Sequence, residues 1–162
     1  MNTNTNNNWI DLIENKQAIN SLYKKPPSLE RITIKTIDFG VWSPEIIYIG
    51  FITDQMPDII PKRGLWRSCP KTDSVFISLH FGCVQNFSVD NFDLSHNCSL
   101  EICVNPEFVY ETIPVGKMLA LKRTDRLQIK LSTTSSQLSF FVFNITVDSI
   151  RPVNHENDFR KK

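Results

Sequence analysis

Ser74–Phe81 reads SVFISLHF. On an extended chain Val75, Ile77, Leu79 and Phe81 fall on one side and Phe76, Ser78 and His80 on the other, so the period of two identifies a strand. Upstream, RITIKTIDF (31–39) alternates weakly, while EIIYIGFIT (45–53) is apolar on both faces and reads as a central strand. Downstream, NFSVDNF (86–92), SLEICV (99–104) and KMLALK (117–122) read as shorter strands. RLQIKLS and LSFFVFNITV flank TTSSQ (133–137), a polar loop of hairpin length.

Before Arg31 the period is helical. In NWIDLIENKQAINSLYKKPPSL (8–29), Asn8 is placed to cap and Asp11 suits the first turn. Trp9, Leu12, Ile13, Ile19, Leu22 and Tyr23 define one apolar face, and the helix must end before Pro26-Pro27. The expected fold is α+β and mostly β: one N-terminal amphipathic helix, then about eight mainly antiparallel strands in a large curved sheet or sandwich. Strand order stays open, because a meander and a Greek key share this pattern. The expected organisation is a disordered Asn-rich lead-in (1–8), a single β-rich domain (9–155) and a charged tail (156–162).

Lys and Arg number 18 against 17 Asp and Glu, a net charge of +1, so no overall field points to nucleic acid or an anionic membrane. The N-terminus lacks the basic and apolar regions of a secretory signal, and no apolar run approaches the roughly 20 residues of a membrane span. A cytoplasmic protein is expected. Its four cysteines, Cys69, Cys83, Cys98 and Cys103, then read as reduced thiols.

Catalytic signatures are missing. The five glycines are scattered and build no phosphate-cradling loop, and neither GxSxG nor HExxH occurs. The nearest approach to a metal constellation is His80, Cys83, His96, Cys98 and Cys103. His96 and Cys98 would share a strand face, but structural zinc takes paired ligands from tight knuckles, and cysteine packs readily as a small hydrophobe. No enzyme, metal or cofactor is expected. An aromatic platform of Trp66, Trp42 and Tyr48 would suit a competing function, an intracellular carbohydrate- or small-ligand-binding module.

Charge distribution says more than charge total. Between Lys71 and Lys117 there is no Lys or Arg, but there are Asp73, Asp90, Asp93, Glu101, Glu107 and Glu111, with basic flanks on both sides. A shared face of these residues would attract a cationic protein and repel nucleic acid. Just before it, MPDIIPKRGLWRSC (56–69) has its backbone restricted by Pro57 and Pro61, turns at Gly64 and presents Trp66 beside Arg67. A tryptophan on such a loop serves either as a lid on the core or as an interface anchor.

These motifs together resemble the immunity protein 50 family of bacterial polymorphic toxin systems. Members begin with a Trp-containing helix that ends in a tyrosine-to-proline-Ser-Leu segment, and a proline-rich loop closing on Arg and Trp follows a strand pair. Here those features fall on Trp9, Tyr23, Pro27, Ser28, Leu29, Pro57, Pro61, Arg63 and Trp66, with Gly64-Leu65 separating the Arg from the Trp. The resemblance implies a mostly β protein that neutralises a cognate toxin C-terminal domain by binding it in the producing cell, with no catalytic residues. The expected toxin-binding residues are Trp66, Arg67, Asp90, Asp93 and Glu101, the carboxylates plugging a basic substrate cleft.

Overall fold

The structure is a computed structural model that describes residues 8–40, 43, 45–69, 71–91, 93, 97–115 and 118–154, with only the course of the backbone over 106–125. The Asn-rich lead-in, the charged tail, Trp42 and His96 lie outside the described residues, apart from Asn8. The described residues form eight strands: β1 (Thr33–Phe39), β2 (Ile47–Thr53), β3 (Ser74–Gly82), β4 (Gln85–Asp90), β5 (Ser99–Val115), β6 (Met118–Ser132), β7 (Gln137–Val142) and β8 (Asn144–Val153). They form two four-stranded sheets, ordered β1-β2-β3-β8 and β4-β7-β6-β5, with every pairing antiparallel.

The doubly apolar β2 and β3 occupy the middle of the first sheet, where both faces are covered. Ile47, Ile49, Phe51, Val75, Ile77, Leu79 and Phe81 point to the main core and meet Leu127, Ile129, Leu131, Leu138 and Phe140 of the second sheet. On the outer face of the first sheet Phe76 packs with Ile52 and Val153, and the Arg151 guanidinium sits 4.5 Å above its ring. β1 starts beside β5, through the Ile32–Cys98 bridge, and ends beside β4, where the Phe39 and Phe87 rings meet at 5.4 Å. Since β5 and β4 are opposite edges of the second sheet, β1 crosses its strands, as in orthogonal packing.

The N-terminal segment departs from the expected continuous helix. A 3-10 turn at Trp9–Leu12 and a four-residue helix α1 (Gln17–Asn20) are separated by residues that lie along the open edge of β8. There the Glu14 N–H donates to the Ile145 carbonyl at 3.0 Å. The Asn15 carboxamide donates to the Val147 carbonyl at 2.8 Å and accepts its N–H at 2.7 Å. These bonds close an edge that would otherwise be bare, and they override the helical preference of the segment. The apolar spacing still serves the core, because Ile10, Ile13, Ile19, Leu22 and Tyr23 are all buried.

SLEICV and KMLALK are not short strands. They belong to β5 and β6, the longest strands, of 17 and 15 residues. A register shift between Asn105 and Phe108 spans Pro106, so a bulge inside one strand reads in sequence as its end. β7 pairs only with residues 127–132 of β6, so the rest of the β5–β6 hairpin runs on as a two-stranded ribbon. LSFFVFNITV divides at Phe143 into β7 and β8, which join different sheets. No helix among the described residues is long and apolar enough to cross a membrane.

Candidate functional site

The second sheet carries two of the five expected contact residues, Asp90 and Glu101, and a third, Asp93, follows its edge strand β4. Asp90 pairs with Gln137, Gln137 with Ser132 and Ser132 with Ser99, which makes one row across all four strands. Glu101 lies two residues along β5 from Ser99, so its side chain shares the outer face with Asp90. The three inter-strand steps between β4 and β5 amount to about 14 Å. A standard interface of about 800 Å² per partner is wide enough to include both. Lys130 stands directly opposite Glu101 and reduces the negative field at that end. Asp93 follows β4, and its N–H donates to the Ser136 hydroxyl at 3.3 Å, at the β6–β7 turn. All three carboxylates are exposed.

Trp66 and Arg67 lie elsewhere. They belong to α2 (Leu65–Ser68), a single turn that Gly64 introduces with φ of 61° and that packs against β8 of the first sheet. The Trp66 ring is half-buried against the main core while Leu65 and Arg67 are exposed, so the ring lids the core edge.

His80 makes a 3.1 Å hydrogen bond with the Thr146 hydroxyl, and its ring lies 5.0 Å from that of Tyr48 on the neighbouring strand. Cys83 is exposed after β3, whereas Cys98 is buried at the bridge between the sheets. Burial pushes the Cys98 thiol upward, and the Asp93 carboxylate adds to the shift. Among the described residues no group of three His, Cys, Asp or Glu side chains is placed to hold a metal ion.

Among the described residues a groove of about 950 Å³ opens beside the edge of β5. One wall is Trp9, Tyr23 and the 25–30 stretch, another is Gln55–Asp58 after β2, and the third is the outer edge of β5 from Ser99 to Cys103. The first two walls are clamped together. Trp9 donates its indole N–H to the Pro27 carbonyl at 2.9 Å, and Tyr23 donates its hydroxyl to the Gln55 carbonyl at 2.9 Å. The Gln55 side chain accepts the Ser28 N–H at 2.8 Å and donates to the Ser28 carbonyl at 3.3 Å. Asp58 accepts the Lys24 N–H at 2.8 Å. Burial first, and the Asp58 carboxylate second, push the Tyr23 hydroxyl up to about 12.

Residues 15–153 match the family described as Immunity protein 50. The chain belongs to this family. No curated protein and no solved structure matches it. In this immunity protein 50 member, the Trp, Tyr and Pro-Ser-Leu features noted in the sequence converge on the groove, where their hydrogen bonds fix its walls. The remaining features, Pro57, Pro61, Arg63 and Trp66, lie along the segment that runs from the groove into α2. The groove was not foreseen, because its third wall comes from β5, far away in sequence. The only local signal was Pro26-Pro27 beside a Tyr and two Lys.

Proposed function

We propose that this protein neutralises a cognate toxin C-terminal domain in the cytoplasm of the cell that makes it, by binding the domain and occluding its active site rather than by catalysis. Membership of the immunity protein 50 family over residues 15–153 is the observation that carries this reading. The exposed outer face of the second sheet supports it. Asp90 and Glu101 there, with the exposed Asp93 after β4, bring carboxylates toward a basic substrate cleft, and association between opposite charges is fast and salt-sensitive. Arg67, exposed beside the half-buried Trp66, forms a second contact on the β8 side.

The test pairs the protein with the toxin domain encoded beside its gene. Co-purification of the two and rescue of growth are the expected results. Replacing Asp90 and Asp93 by lysine should slow association about tenfold at low salt and much less at high salt. An active toxin that neither binds nor is neutralised by the folded protein overturns the reading. Equal association rates for the wild type and the double variant at low salt would move the contact off this face.

A further inference from the structure

We propose that the open edge of β5 in the groove receives an extended, cationic segment of the toxin as an added strand. The inference rests on the reading that the protein binds a toxin domain, and it assigns that partner a further contact, made by the main chain.

The edge is half used by the chain itself. Ile32 donates its N–H to the Cys98 carbonyl at 2.9 Å and accepts the Cys98 N–H at 2.7 Å, while the Leu100 N–H reaches the Leu29 carbonyl at 2.9 Å. Along a strand the N–H and C=O of alternate residues face the same edge. Ile102 and Val104 therefore aim theirs where Cys98 and Leu100 do. Among the described residues no backbone group pairs with Ile102 or Val104 there. The chain does not continue the ladder past Leu29, because the next residue that would face β5 is Pro27, held in a Pro26-Pro27 pair. Pro27 has no N–H, and its carbonyl is taken by Trp9.

The edges of β8, β1 and β4 are guarded. Asn15 covers β8, and register shifts interrupt β1 between Ile34 and Thr36 and β4 between Gln85 and Ser88. Among the described residues the Ile102–Val104 stretch is left bare, with Ile102 in the β5 wall of the groove and Val104 just beyond it. Main-chain pairing with such an edge is a general mode of peptide capture. Charge selects the occupant: among the described lining residues the groove presents Glu30, Asp58 and Glu101 against Lys25.

Val104→Pro deletes the outward N–H without touching the β6 ladder, at an edge position where proline is tolerated, and Val104→Ala keeps the N–H as its control. By calorimetry, the toxin domain should bind Val104→Ala within about threefold of the wild type and Val104→Pro at least tenfold more weakly. Glu30→Lys with Glu101→Lys should weaken binding most at low salt. Independently of any variant, the wild-type amides of Ile102 and Val104 should gain hydrogen-exchange protection in the complex.

A toxin that binds and is neutralised with these amides unprotected and with Val104→Pro at full affinity overturns the added strand and leaves the proposed function standing. Failure of the wild type to bind the toxin overturns both. A concentration-dependent dimer of the protein alone, abolished by Val104→Pro, would assign the edge to a second copy and also overturn the proposal.

Discussion

At the scale of the residue, Tyr23 shows how one side chain ties a groove wall to stability. Its ring is buried, and its hydroxyl is bonded to Gln55 with the Asp58 carboxylate near. A hydroxyl whose folded pKa is raised from 10.0 to about 12 supports the fold fully below pH 10 and loses that support as pH rises through 12. Thermal unfolding of the wild type should fall more steeply between pH 10 and 12 than that of Tyr23→Phe. At neutral pH the variant should be about 1 kcal/mol less stable, because the Gln55 carbonyl loses its donor. Parallel curves over the alkaline range would refute this account of Tyr23.

At the scale of the element, Asn15 does the work of a strand with one side chain. Removing its carboxamide in Asn15→Ala strands the N–H and C=O of Val147 on an open edge. The expected cost is about 1–3 kcal/mol, read as a lower urea midpoint with an unchanged slope, together with a greater tendency to aggregate. Asn15 also marks where sequence reading stops. Ile10, Ile13, Ile19, Leu22 and Tyr23 have helical spacing and are buried as that spacing requires, yet the backbone between them serves a strand more than 100 residues away. Local periodicity reports which side chains are inside, and long-range hydrogen bonds decide what the backbone does. For the same reason the alternation of Val75, Ile77, Leu79 and Phe81 was legible, whereas the continuity of β5 through Pro106 was not. Of the candidate contact residues, the common face of Asp90 and Glu101 needed the strand order, and the core-lid position of Trp66 was one of two readings its loop allowed.

At the scale of the whole molecule, two sheets are joined at a seam marked by Cys98. That thiol is buried at the Ile32 bridge, and burial and Asp93 hold it protonated. Thiol labelling under native conditions should therefore modify the exposed Cys83 first. Cys98 should react only at the rate at which the sheets come apart, and the two rates should converge in denaturant. Equal native labelling of Cys98 and Cys83 would mean that the seam opens without global unfolding.

The position of β3 between β2 and β8 has a consequence for synthesis. Its second partner follows it only after β4, β5, β6 and β7 have been made. At roughly 5–20 residues per second a ribosome takes several seconds to cover that interval. Throughout it, the apolar faces of Val75, Ile77, Leu79 and Phe81 lack the strand that completes their sheet. The first sheet therefore closes in one late step, and a nascent chain, however long, offers little of the finished surface until its last strand has emerged.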